Sequence, residues 1–159
     1  MKKLTASFLL SLIAIAFAAC DDTNANTGNP DADAAESRIE WMTDYELARE
    51  LSREAGKPVL MNFTGSDWCP PCIQMKSDVL DTSTFQEYAK GNLVLLELDF
   101  PRQAPIDEEL ERQNEELASS YGVQGFPTFV VIDGEGEELR RSVGYTRGGP
   151  DAFIAWIED

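Results

Sequence analysis

The chain has 159 residues, with 13 Lys and Arg against 29 Asp and Glu, a formal net charge of −16, three cysteines and no histidine. The missing histidine excludes a Ser/His or Cys/His catalytic pair, an imidazole base and a Cys/His zinc site. The excess of acid disfavours nucleic-acid backbones and anionic lipid surfaces as partners.

At the N-terminus, Met1-Lys2-Lys3 and the uncharged run Leu4–Ala19 read as a secretory leader over residues 1–19, and sixteen uncharged residues are short for a membrane span. Phe17-Ala18-Ala19-Cys20 resembles the lipobox of bacterial lipoproteins, in which the cysteine is lipidated and becomes the first mature residue. Phe17 stands where that box usually has Leu, and Ala16-Phe17-Ala18 would also serve as an ordinary cleavage site that leaves Cys20 as a spare thiol. Residues 20–36 are then a tether, because Asp21 to Glu36 holds no aromatic or large aliphatic residue with which to offset ordering entropy. Removing the leader takes Lys2 and Lys3 with it and moves the net charge from −16 to −18.

A single domain is expected over 37–159, since 43% hydrophobic residues is a globular composition. Ile39 and Trp41 alternate with charged neighbours and suggest a short strand. Thr43 and Glu46 have capping-box spacing before a helix whose apolar face would be Leu47, Ala48, Leu51 and Ala55, ended by Gly56 and Pro58. Val59–Thr64 is a short apolar run with the profile of a buried central strand. After the loop Gly65–Trp68, a helix begins at Cys69-Pro70-Pro71-Cys72, since proline suits a first helical turn. A small helix to Tyr88 and a buried strand Leu93–Asp99 follow. Ile106, Leu110, Leu117 and Tyr121 mark one face of a long helix whose Asp107, Glu108, Glu109, Glu111, Glu115 and Glu116 form a solvated face. Phe129–Ile132 and Leu139–Val143 flank Asp133-Gly134-Glu135-Gly136 as a hairpin, and Gly148-Gly149-Pro150-Asp151 opens a last helix with Phe153, Ile154 and Ile157 inward. The order implies a parallel sheet with crossover helices, finished by an antiparallel hairpin and covered on both faces.

The chemistry concentrates at Trp68-Cys69-Pro70-Pro71-Cys72. The two cysteines cannot complete a four-ligand metal site without a second pair or a histidine, so no metal is expected. A purely structural bridge over two intervening residues would constrain the unfolded chain little. At a helix start the Cys69 thiolate gains from unsatisfied N–H groups, and Cys72, one turn in, can resolve a mixed disulfide. Pro70 and Pro71 remove two of those donors and leave the N–H of Cys72, so the Cys69 pKa should fall less than where every amide is present.

Strand, Trp68-Cys69-x-x-Cys72, helix, then Gly125-Phe126-Pro127-Thr128 opening a later strand and a hairpin with Gly144, resembles the thioredoxin family over residues 37–159. Within it, the chain is similar to exported thioredoxin-like lipoproteins of bacteria and to the C-terminal periplasmic domain of the DsbD electron-transfer proteins. The resemblance implies an α/β thioredoxin-like fold, a central mixed sheet with helices on both faces, and thiol:disulfide oxidoreductase activity with Cys69 and Cys72 catalytic. The redox disulfide would be the only cofactor. Pro127 would follow a cis bond, the Phe126 backbone would pair with an extended substrate, and Trp68, Pro70 and Pro71 would complete the substrate site. Partners would be protein thiols and disulfides of the cell envelope and a membrane electron donor, met by a monomer on the periplasmic side of a membrane through Cys20. Reduction is the favoured direction, with oxidase or isomerase work and a non-catalytic peptide-binding role as alternatives. Where thioredoxins carry a buried Asp before the cysteines this chain has Asn62, leaving Asp67 and Glu97 as nearby acids for the resolving proton.

Overall fold

The computed structural model describes residues 39–159, so the expected leader, Cys20 and the tether to Glu36 lie outside the described residues. The elements in order are α1 (Tyr45–Ala55), β1 (Val59–Thr64), α2 (Pro70–Met75) running into a π-turn (Lys76–Leu80), α3 (Ser83–Asn92), β2 (Val94–Asp99), α4 (Glu108–Ser120), β3 (Thr128–Ile132), β4 (Glu138–Val143) and α5 (Gly149–Glu158). Among the described residues no helix is long and apolar enough to cross a membrane.

The strands lie in the order β2-β1-β3-β4, with β1 parallel to β2, β3 antiparallel to β1 and β4 antiparallel to β3. All six residues of β1 are buried, the mark of a strand covered on both faces. Alternation divides the core. Leu60, Phe129 and Val131 point to one face with Met75, Val79, Phe85 and Phe153, while Met61, Phe63, Val130 and Ile132 point to the other with Ala48, Leu96 and Leu117.

Three expectations need correction. The sheet is mixed, as the family resemblance implied, and not parallel up to its hairpin as the element order suggested, because the segment after α4 returns the chain to the end where β1 finishes and sets Thr128 opposite Phe63. The strand expected at Ile39 and Trp41 is one parallel bridge from Met42 to Leu96, held by Met42 N–H to Leu95 O at 2.9 Å and Glu97 N–H to Met42 O at 2.8 Å. The chain turns into a helix too soon afterwards to extend it. That helix is capped by Asp44, whose Oδ1 accepts from Leu47 N–H at 3.0 Å, rather than by Thr43. Tyr45 N–H and Thr43 C=O instead engage the Gln113 side chain on α4. With this start, Ala48 and Ser52 face inward, and Leu47 and Leu51 are left 44% and 37% exposed.

α4 likewise begins one residue past Asp107, whose Oδ1 caps Glu109 and Leu110, so Ile106 belongs to the preceding loop. Its inward residues are Asn114 and Leu117, its acidic side chains are exposed, and Asn114 Nδ2 donates to Asp99 O at 2.9 Å. The hairpin turn forms as read from Asp133-Gly134-Glu135-Gly136, with Asp133 Oδ1 accepting from Glu135 and Glu137 N–H groups. Phe153 and Ile157 of α5 are buried and Ile154 half-buried.

Candidate active site

β1 and α2 deliver the two cysteines. After β1 the chain passes through Gly65, where a Cβ would lie 2.6 Å from the Trp68 ring, so only glycine lets the indole fold back over the loop. Cys69 N–H donates to Gly65 O at 2.9 Å, Cys69 caps α2, and Pro70 and Pro71 occupy its first turn. One turn later Cys72 meets Cys69 in a disulfide, S–S 2.04 Å and Cα–Cα 5.3 Å. The amide of Cys72 donates to Cys69 O at 3.0 Å and that of Ile73 to the same oxygen at 3.1 Å. The N–H expected to remain for the Cys69 sulfur is therefore engaged by the backbone in this oxidised state.

The two sulfurs face different surroundings. Cys69 opens on a groove of about 460 Å³ lined by Trp68, Pro70, Pro71, Val123, Gln124, Gly125 and Phe126. Pro127 is buried behind this lining, its bond to Phe126 is cis, and its carbonyl accepts from Gly144 N–H at 2.8 Å. Trp68 is fixed from three directions. Its Nε1–H donates to Phe100 O at 2.7 Å, its ring meets Phe126 edge-on at 5.9 Å, and the Arg102 guanidinium lies 3.5 Å above the ring centroid.

Phe100 and Arg102 belong to the stretch Phe100–Ile106, which forms one edge of this groove through Trp68. Asp67 holds that loop: its carboxylate accepts from the N–H groups of Arg102 at 3.0 Å, Gln103 at 2.7 Å and Ala104 at 3.0 Å. These bonds, that from Arg102 foremost, hold the Asp67 carboxyl below the usual carboxylate range. Sequence reasoning named Asp67 as a candidate acid for the resolving proton, but its carboxylate is turned to the loop amides and does not line the pocket beside Cys72. Its role in the loop joins residues 35 to 37 positions apart, which no local pattern announces.

Cys72 lines a different and smaller pocket of about 60 Å³, which mixes Asn62, Thr64, Ser66, Lys76 and Glu97 with the apolar Ile73, Leu80 and Phe129. This space is large enough for water. Asn62 is 3% exposed, and its Oδ1 has no hydrogen-bond partner among the described residues. Directly across β1 and β2, Asn62 registers with Glu97. Burial pushes the Glu97 carboxyl up from its ordinary value, the charges of Asp99 and Asp81 add to this, and Lys76 opposes it. Lys76 itself pairs with Asp81 at 2.6 Å.

Residues 45–159 match the model of the thioredoxin-like domain family. The chain is 39% identical over 124 residues to the disulfide bond reductase DsbH of Chlamydia pneumoniae, covering 78% of this chain and 74% of that protein. It is 33% identical over 116 residues to the thioredoxin-related protein DsbJ of the same organism, covering 70% of this chain but 33% of that one. Among solved structures, that of a DsbH oxidoreductase superposes with a TM-score of 0.72 at 38% identity, over 76% of this chain and 83% of its own. A family model spanning most of the chain, a relative of this identity and the shared fold agree: the chain belongs to the thioredoxin-like family.

Proposed function

We propose that this chain is a thiol:disulfide oxidoreductase that reduces protein disulfides in the cell envelope, held at a membrane through a lipidated Cys20. The observation that carries the reading is the Cys69–Cys72 disulfide beside an uncharged groove, one cysteine lining that groove and the other a small pocket that it shares with Asn62 and Glu97. Such a pair exchanges electrons without a further cofactor. In the reduced protein, the Cys69 thiolate attacks one sulfur of a substrate disulfide; that S–S bond breaks, and the departing substrate thiolate takes a proton from solvent. Cys72 then loses its proton and attacks Cys69 Sγ, which releases the second substrate thiolate and leaves the oxidised pair. Two electrons pass to the substrate, and a dithiol donor associated with the membrane returns them.

The groove supplies recognition. Pro70, Pro71, Trp68 and Phe126 give it an apolar wall, and the backbone at Phe126, presented by Pro127, pairs with an extended substrate segment. Glu97 receives the Cys72 proton across the shared cavity, the role that Asn62 cannot fill because an amide does not ionise. Export rests on Met1–Ala19 and the anchor on Phe17-Ala18-Ala19-Cys20. The names of the relatives support the direction, since DsbH is called a disulfide bond reductase.

The test is turnover of a protein disulfide in the presence of a dithiol, together with the potential of the Cys69/Cys72 pair. We expect catalysis that disappears in Cys69→Ser, and a potential more negative than about −180 mV, the value of protein disulfide isomerase. A potential near −120 mV would reverse the assignment to an oxidant. No acceleration over buffer, with nothing lost in Cys69→Ser, would make the domain a peptide-holding module instead.

A further inference from the structure

We propose that Arg102 is a specificity-determining residue: its guanidinium, fixed over Trp68 at the rim of the redox groove, recognises an Asp or Glu side chain that the substrate carries close to the cysteine under attack. The proposal rests on the oxidoreductase reading above. Its first support is placement. The guanidinium lies 3.5 Å from the centroid of the Trp68 ring, and Trp68 lines the groove together with Cys69. Its second is rigidity. The N–H groups of residues 102, 103 and 104 all bind the Asp67 carboxylate, Gln103 Nε2 returns to Asp67 O at 3.0 Å, and Pro101 and Pro105 stiffen the segment on both sides. The backbone that carries the cation is thus tied to Asp67, two residues before Cys69 in the chain, and is not a loose loop.

The third support is an open valence. Among the described residues no carboxylate lies within ion-pair distance of the Arg102 side chain, and its hydrogen bonds run through its backbone N–H. The adjacent acid, Asp67, directs its oxygens to backbone amides instead. Stacking on an indole engages the face of a guanidinium and leaves the in-plane fork of N–H groups for a carboxylate, which it meets with two parallel bonds. The groove lining itself contains no charged side chain, and Arg102 adjoins it through the Trp68 ring that its guanidinium covers. A purely structural role, covering the face of Trp68, would need the stem and plane of the side chain but not its charge. That difference decides the experiment.

Two disulfide-bonded peptides that differ only in Glu or Gln beside the attacked cysteine are compared by kcat/KM. The chain carries a net −16, so its long-range field works against the Glu peptide, and a preference for that peptide reports a local contact. We expect wild type to favour Glu by about three- to fivefold near 0.1 M salt, the range of an exposed ion pair, with the ratio falling toward one as salt approaches about 1 M. Arg102→Met keeps an apolar cover on Trp68 and should bring the ratio to one or below; Arg102→Lys should keep part of it, and Arg102→Gln provides a second neutral variant. A wild-type ratio of one, or a preference that survives in both neutral variants, overturns the proposal. Wild type that reduces neither peptide overturns the oxidoreductase reading itself, whereas equal reduction of both leaves that reading standing and removes only the role of Arg102.

Discussion

One disulfide separates two environments that share almost nothing. The space in front of Cys69 is about 460 Å³ and walled largely by aromatic and proline side chains, whereas the space behind Cys72 is about 60 Å³ and mixes the apolar Ile73, Leu80 and Phe129 with an amide, hydroxyls, Lys76 and Glu97. A substrate polypeptide fits the first and only water the second. The contrast divides the labour between two chemically identical thiols. In the proposed mechanism the sulfur on the groove side exchanges with another protein, and the sulfur on the smaller pocket resolves and sheds its proton there.

The hardest test of this division is to remove the inner sulfur. Cys72→Ala should lower multiple turnover by about a thousandfold or more, the scale of deleting a catalytic nucleophile, while leaving the first attack intact. Mixed disulfides between Cys69 and the substrate should then accumulate, visible as a mass increase that dithiol reverses. Trapping through Cys72 in a Cys69→Ala variant, with none in Cys72→Ala, would invert the two environments.

A smaller effect should come from Glu97, which belongs to the inner side only. Glu97→Gln keeps size and hydrogen bonding but cannot take a proton, and should slow resolution of the mixed disulfide by about a hundredfold without slowing its formation. In wild type the resolving rate should rise with pH through a Glu97 ionisation displaced above the ordinary glutamate range by burial and then by the Asp99 charge, with Lys76 opposing and Asp81 adding. The variant should lack that limb and rise only with ionisation of the thiol, ordinarily near pH 8.5. Stability moves the other way. A carboxyl whose folded pKa lies above its unfolded value destabilises the fold where it is ionised, and this penalty lifts as pH falls through the folded value. Glu97→Gln should therefore melt higher than wild type at neutral pH and converge with it on acidification. A variant that loses both rate and stability would mean structural damage and remove Glu97 from the mechanism.

The groove side was the more legible in sequence, and the reason is distance along the chain. Trp68 to Cys72 is one contiguous segment at a strand-to-helix junction, and Gly125-Phe126-Pro127 is a second; each announces itself through proline, glycine and spacing. β1 was legible because a strand buried on both faces is a continuous apolar run, and the last hairpin because Asp133 and two glycines mark its turn. The cavity side was legible only as separate residues, Asn62 where the family carries an acid and Glu97 as an acid near the cysteines. Glu97 reads as one acid in an apolar strand, and its meeting with Asn62 depends on the β1–β2 register. The antiparallel course of β3 was hidden for the same reason, since strand direction is set by where the segment after α4 emerges. At α1 the sequence pointed to Thr43 as the cap, and the tertiary contacts of Thr43 and Tyr45 with Gln113 go with a cap at Asp44 instead.

The smallest effect should come from Asp67, which touches neither sulfur's space and acts on the groove through the loop that carries Arg102. Asp67→Asn retains an acceptor oxygen but loses the charge that three backbone N–H groups converge upon. Because those bonds hold its folded pKa below the unfolded value, the stabilisation is complete above the ordinary aspartate range, near pH 4, and is lost as pH falls through the lowered value. The variant should melt about 2 °C below wild type at neutral pH, a small shift for a domain of this size, and the gap should close as pH falls through the lowered value and wild type loses the same charge. If the loop is what fixes the cation over Trp68, the Glu-over-Gln peptide preference should also weaken in Asp67→Asn, though less than in Arg102→Met. A melting gap that stays constant down to the acid limit would show that Asp67 acts through shape and not through its charge, and that the front wall of the groove holds its form without it.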